Sequence, residues 1–327
     1  MALSTASVAV VHRLSSPRGQ AVSISGILAR FAVRFGALAA LLLWQSACRP
    51  SASPAASTRI VDDAGDTVVV PAAARRVVSL IPATTELLFA IGAGPAVVGR
   101  TAWCDYPAAA ANVPNLGDGI APNVEAVLAS RPDLVILYNS AQNADVAARL
   151  RRLGIAALRL NTDSLGDVDR VGRLLGRLTG HVRAADSVAA VFDTALAAAT
   201  GPAPARRPKV LLLVWEQPPM TIGRGSFLSE LVERAGGRNL FADVTSSAGT
   251  VSIEAVASRD PDLILTTTAG PVGFAERPEW QTVRAVRERR FLPVSGSEFN
   301  RPSPRAPAAI RELVRLLRER ASMRKAA

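Results

Sequence analysis

Residues able to do chemistry are few in this 327-residue chain. It holds two histidines and two cysteines: His12, His181, Cys48 and Cys104. No His, Cys, Asp and Glu group has the spacing of a metal site. No Ser-His-Asp set can be assembled in the body of the chain. Gly92-Ala-Gly94 follows a helical run and not a strand, which makes it a helix stop rather than a dinucleotide loop. Catalysis, a resident metal and a cofactor are therefore not expected. The conspicuous reactive feature is a repeated carboxylate. Glu125 and Glu254 hold the same place in two related segments, 123–134 and 252–263. Asn123 and Ser252 are good N-caps, and Pro132 and Pro261 end each helix. A carboxylate in the first turn favours the helix dipole. Exposed and matched across two repeats, the pair would also steer a partner of complementary charge.

The elements that must position these residues alternate between strand and helix. Residues 60–62 and 68–70 flank Asp63-Ala-Gly-Asp66 as a β-hairpin. Residues 77–81 are a continuous apolar run, as in a strand buried on both faces. A helix over 85–91 follows, then strands at 97–99, 134–137 and 156–160, with a helix over 144–153. The second half repeats the logic, with strands at 210–215, 263–267 and 292–294 and a helix over 227–235. Between the halves, residues 164–201 read as one long helix in which Gly180 marks a local irregularity. The expected fold is α/β: two Rossmann-like lobes, 59–163 and 202–320, joined by a long rigid backbone helix, with a ligand cleft between the lobes and a tail at 321–327. A helical connector should permit only small closure. Ligands of open α/β sheets bind outside the carboxyl ends of the strands. Trp103, Tyr138 and Trp215 lie at or just after such ends and are candidate ligand contacts.

Residues 1–48 carry no acidic residue and four arginines, which account for four of the chain's +11 charges. Arg30 and Arg34 precede an apolar run, Phe35 to Trp44, that leads to Gln45-Ser-Ala-Cys48. This pattern predicts an export signal with a lipobox-like Cys48 as the lipidated residue. A run of about ten residues is too short to span a bilayer, which needs about 20. Residues 49–58 form a Pro/Ser-rich tether. The expected location is the periplasm or cell surface, held to a membrane by lipid. Cys104 is then left without a disulfide partner and reads as a small buried hydrophobe. The remaining arginines are scattered along helices with no nucleic-acid motif, so no nucleic-acid partner is expected.

Val77-Val-Ser-Leu-Ile-Pro-Ala-Thr-Thr-Glu-Leu-Leu-Phe-Ala-Ile-Gly resembles the opening of the iron-siderophore and cobalamin periplasmic binding proteins. Asp105-Tyr-Pro, the two Glu-containing helices with Pro-Asp-Leu, and Ser303-Pro-Arg resemble them too. Trp103-Cys-Asp-Tyr-Pro and Pro218-Pro-Met-Thr followed by Gly223 are most similar to the cobalamin-binding members. The resemblance implies a monomeric solute-binding protein without catalysis. It captures a corrinoid, cobalamin or cobinamide, and delivers it to an ABC importer, a permease dimer with its ATPase subunits. A ferric siderophore, haem or a ligand-sensing receptor role are the alternatives within the fold. Trp103 and Tyr138 fall where such relatives carry ligand-stacking aromatics, and Trp215 about one position away. The stretches before Asn123 and before Val251 lack an aromatic found in some relatives. That leaves a more polar second wall, which Arg224, Glu298, Phe299 and Arg301 are placed to serve. An anionic siderophore would call on Arg301 and Arg305. By the same resemblance, Glu125 and Glu254 are the permease-docking residues, one per lobe.

Overall fold

The computed structural model describes residues 57–326 apart from 202–205, 247 and 268–271. The export signal, Cys48 and nearly all of the tether lie outside the described residues. The predicted hairpin pairs β1 (Ser57–Val61) with β2 (Thr67–Pro71) antiparallel. The first lobe then runs β3 (Val77–Ser79), α1 (Pro82–Ala90), β4 (Val97–Arg100), α2 (Val124–Ala129), β5 (Leu134–Tyr138), α3 (Ala141–Arg152) and β6 (Ala156–Leu160). Its sheet is wholly parallel in the order β4-β3-β5-β6. Side chains alternate across it. Leu134, Ile136, Leu158 and Leu160 enter one core, and Val135, Leu137 and Ala157 enter another. Burial on both faces is why these strands read as unbroken apolar runs.

The second lobe contains β7 (Lys209–Glu216), β8 (Pro219–Ile222), α6 (Phe227–Arg234), β9 (Arg238–Asn239), β10 (Ala248–Thr250), α7 (Ile253–Arg259), β11 (Leu263–Thr266), α8 (Arg284–Arg287) and β12 (Phe291–Pro293). Here β7, β11 and β12 are parallel, while β8 runs antiparallel to β7 and β10 antiparallel to β8. The sequence repeat is a structural repeat down to single bonds. Asp133 and Asp262 each accept from the backbone amide that opens the first strand of their sheet, Arg76 at 3.1 Å and Lys209 at 3.0 Å. The side chains of Arg76 and Lys209 reach the carbonyls that end the helix before each aspartate, Ser130 and Arg259. Arg131 and Asp260 both take positive φ, 47° and 49°, which turns the chain sharply between helix and strand.

The connector differs from the expected single helix. It is two helices, α4 (Gly166–Thr179) and α5 (Val182–Ala199), divided at Gly180 with φ 76°. The amide of His181 donates to the Gly176 carbonyl at 2.7 Å, closing α4 with a left-handed turn that a side chain would resist. α5 then packs back on α4. A Cβ on Gly176 would lie 2.5 Å from the Ala185 Cβ, and Arg173 pairs with Asp186. One continuous core nevertheless links the lobes. It takes Leu134 and Leu158 from the first sheet, Val171 and Phe192 from the connector, and Leu212 and Leu265 from the second. The last helix, α9 (Ala306–Ala326), also contributes Ile310 and Leu313. It runs through 321–326, so those residues continue a helix and form no separate tail; Ala, Arg, Met and Lys there are all good helix formers. No helix among the described residues is long and apolar enough to cross a membrane.

Candidate functional site

Where β3 ends, a hydroxyl cluster fixes the turn into α1. Ser79 lies 2.7 Å from Thr84 and accepts from Thr85 at 2.8 Å. Thr85 also meets the Cys104 sulfur at 3.2 Å, and Thr101 reaches the same sulfur at 3.2 Å. Cys104 is thus a buried anchor for the 101–107 loop, as its small apolar character suggested. The next residue back, Trp103, is held at the surface with 63% exposure. Tyr138 ends β5, and Thr162 and Asp163 follow β6. Trp103, Tyr138, Thr162 and Asp163 lie at or just after the carboxyl ends of the first lobe's parallel strands. They line a cavity of about 670 Å³ whose opposite wall is the 296–302 segment after β12. Its apolar floor is Ile81, Pro82 and Ala83.

The wall after β12 is clamped to the first lobe by charge. Arg305 donates from Nε and Nη2 to both oxygens of Glu86, at 2.9 and 2.6 Å, and from Nη1 to Glu298 at 2.6 Å. Its guanidinium also lies 4.2 Å from the centre of the Tyr106 ring. The Glu86 side chain, on α1, is 1% exposed. Burial alone would make Arg305 easier to deprotonate, but the Glu86 bonds and the surrounding carboxylates outweigh it, and its pKa rises. Arg301 donates to the Trp103 carbonyl at 2.9 Å and to Asp105 at 2.6 Å, and its Nε lies 3.6 Å from Glu86. A second tie between the halves is the bond from the Leu165 amide to Glu230 of α6, at 2.7 Å.

Among the residues singled out from sequence, Trp103, Tyr138 and Arg301 come together around this cavity; Trp215, Arg224 and Phe299 do not line it. Phe299 requires correction as a ligand wall. It is 3% exposed and packs in the main core, because the 297–299 turn directs its ring inward while Ser297 and Asn300 face the cavity. Trp215 is 63% exposed at the end of β7, with Nε1 donating to the Gln217 carbonyl at 2.9 Å. Arg224 is exposed in the loop after β8. Glu125 and Glu254 are exposed in the first turns of α2 and α7, away from the cavity, and their caps match: Asn123 accepts from Ala126 and Ser252 from Ala255, both at 3.1 Å. The Glu254 carboxyl sits below its ordinary range because its own amide and the Ser252 hydroxyl donate to it.

Sequence reasoning passed over Glu86, Asp105 and Asp163 as site-forming groups. Glu86 and Asp105 stood inside motifs already singled out, yet nothing local distinguishes a buried bridging carboxylate from a helix-surface one. Asp163 accepts from the Tyr138 hydroxyl at 2.7 Å. Burial, that hydrogen bond and the charges of Asp163 and Asp167 together push the Tyr138 phenol up to about 12. The phenol is therefore a neutral donor at any physiological pH. Among the described residues no group of three or more His, Cys, Asp and Glu could hold a metal ion.

Residues 77–293 match the family described as "Periplasmic binding protein". The chain is 31% identical over 260 residues to the cobalamin-binding protein of Halobacterium salinarum, covering 74% of this chain and 69% of that one. It is 28% identical over 263 residues to the uncharacterized ABC transporter substrate-binding lipoprotein YvrC of Bacillus subtilis, covering 77% and 83%. Among solved structures, the periplasmic heme-binding protein RhuT from Roseiflexus sp. RS-1 superposes with a TM-score of 0.69 at 26% identity, covering 76% of this chain and 99% of that one. The vitamin B12-binding protein BtuF of Vibrio cholerae superposes at 0.64 with 25% identity, covering 76% and 98%. With a family match over most of its length, the chain belongs to the periplasmic binding protein family.

Proposed function

We propose that this protein is the solute-binding component of an ABC importer, and that it captures a corrinoid between its lobes and delivers it to the permease. The observation that carries the ligand reading is the cavity itself. An exposed Trp103 and the end of Tyr138 flank an apolar floor, which suits a large flat ligand with a polar rim. The guanidiniums that an anionic siderophore would need, Arg301 and Arg305, are already spent on Glu86, Asp105 and Glu298. The cobalamin-binding relatives favour the same class of ligand. No catalytic step is assigned. Export, with Cys48 as a lipid anchor, follows from the leader and is consistent with a lipoprotein relative; an acylated mature chain beginning at Cys48, seen by intact mass, is the expected result. Glu125 and Glu254, one per lobe, are the proposed contacts to the two halves of a permease dimer. The protein acts as a monomer.

Titration with cyanocobalamin, cobinamide, haem and ferric siderophores tests the ligand. Tryptophan emission is a suitable reporter because Trp103 is exposed at the cavity while Trp280 is buried in the second lobe's core. The corrinoids should quench it, and Trp103→Ala should weaken binding by about 1–3 kcal/mol. Binding of haem or a siderophore with no response to either corrinoid would overturn the ligand and leave the transport role. Copurification with a signalling membrane protein in place of a permease would favour a receptor.

A further inference from the structure

Among the described residues three charged side chains line the cavity: Asp105, Arg301 and Asp163. Two of them cancel. Arg301 is bound to Asp105 at 2.6 Å, and its remaining nitrogens face the Trp103 carbonyl, the Ser297 carbonyl and Glu86. Its side chain is 12% exposed, so a ligand could engage it only by breaking those bonds. Asp163 has no such counter-charge. Its Oδ1 accepts from Tyr138, and its Oδ2 has no hydrogen-bond partner among the described residues. The Tyr138 phenol is a neutral donor, and Asp163 lies close enough to oppose its ionisation. Among the described residues the cavity therefore offers a ligand one uncompensated negative charge and no free cation.

From this we infer that Asp163, held in place by Tyr138, is a specificity determinant that selects a neutral or cationic macrocycle edge carrying N–H donors, such as carboxamides, and rejects one carrying carboxylates. The inference rests on the corrinoid reading for the identity of the macrocycle, but its charge logic applies to any flat ligand seated here. A carboxamide N–H directed at Asp163 Oδ2 makes a charge-assisted hydrogen bond. A carboxylate in the same place sets two like charges together at the mouth of an apolar pocket, where water screens them poorly. Rejection by an unpaired like charge discriminates more sharply than attraction alone. Arg301, which a sequence reading would assign to anion capture, is a clamp between lobes and gives no relief.

The test uses two ligand pairs that differ only in this chemistry, titrated into the full chain by calorimetry. One pair is cyanocobalamin and its carboxylic acids, made by hydrolysing the propionamides. The other is haemin and haemin diamide. Within whichever pair binds, the amide form should be preferred by about tenfold or more. In Asp163→Asn the carboxyl becomes an amide with its own N–H donors, so the preference should collapse toward parity through weaker binding of the amide form and tighter binding of the acid. The wild-type comparison needs no variant and stands even if that substitution unfolds the lobe. Equal affinity for both members of a pair, preference for the acid, or an unchanged ratio in a folded Asp163→Asn would each overturn the inference. Binding of the haemin pair alone overturns the corrinoid reading, yet preference for the diamide within it still upholds the role of Asp163. A chain that binds no macrocycle of either pair overturns both.

Discussion

Replacing Arg305 by Ala removes the guanidinium that bridges the two lobes. It strands Glu86, whose side chain is 1% exposed and which loses both short hydrogen bonds at once. What remains nearby is Arg301, 3.6 Å from Glu86 through Nε and otherwise committed to Asp105 and the Trp103 carbonyl. Breaking a buried ion pair from one side costs about 3–5 kcal/mol. Arg305 is itself 20% exposed, and Arg301 retains some attraction, so the lower end, about 3 kcal/mol, is expected. For a chain of this size that corresponds to a fall in Tm of roughly 4–6 °C. Urea unfolding of the wild type, Arg305→Ala and the double variant Glu86→Gln with Arg305→Met separates the causes. The double variant should recover most of the loss, because it removes the stranded charge and keeps an apolar stem over Tyr106. A single variant within about 1 kcal/mol of wild type, the behaviour of an exposed pair, would refute the reasoning. So would a double variant as unstable as the single one, since removing the stranded charge and keeping a stem over Tyr106 would then have recovered nothing.

Other expectations follow from the same contacts. Tyr106 and Tyr138 are the two tyrosines of the chain; in a Tyr106→Phe background, phenolate absorbance should report Tyr138 titrating near the value of about 12, and Asp163→Asn should bring the midpoint down. Because the folded pKa is raised, this contribution to stability is full below the ordinary phenol value of about 10 and is lost as pH climbs toward 12; a midpoint that ignores Asp163→Asn would remove that carboxylate as a cause. Gly223→Ala should destabilise by roughly 2 kcal/mol in urea unfolding, since a Cβ there would lie 2.1 Å from the Ser246 carbonyl oxygen and 2.4 Å from that of Val244. Glu125→Ala with Glu254→Ala should leave ligand affinity nearly unchanged and cripple uptake with the cognate permease, and reversal of both to Arg should be worse; uptake at the wild-type rate would reduce both carboxylates to helix-dipole partners.

How far the sequence could be read depended on whether the cause of a feature is local. The parallel strands announced themselves because residues 77–81 and 134–137 are buried on both faces, and a two-sided core leaves an unbroken apolar run. The repeat was legible because the caps Asn123 and Ser252 and the stops Pro132 and Pro261 are fixed by single-helix chemistry. The connector was misread for the opposite reason. Its apolar spacing is helical on both sides of Gly180, and only the packing of Ala185 on Gly176 and the pairing of Arg173 with Asp186 show the chain turning back. Phe299 was misassigned because a large aromatic near a strand end can face either way, and the core claimed it. Glu86 and Arg305 are 219 residues apart, and no spacing rule links them.

Clamp and cleft are built from one stretch of chain. Gly296, Ser297, Asn300, Arg301 and Pro302 line the cavity, while Glu298, Arg301 and Arg305 join the ion network. Arg301 belongs to both, since it lines the cavity and ties Trp103 and Asp105 to the second lobe. The spacing of the two walls is therefore set by the clamp and not by the connector alone, whose division at Gly180 supplies a place where backbone could rotate. A continuous core through both lobes resists such rotation from one side, and the Glu86 network resists it from the other. Trp103 is held by the loop that Arg301 grips, so the position of the exposed ring depends on an ion pair made across the cleft. Loss of that pair would let the ring and the 296–302 wall part together. The shape of the cavity thus depends on the same buried carboxylate on α1.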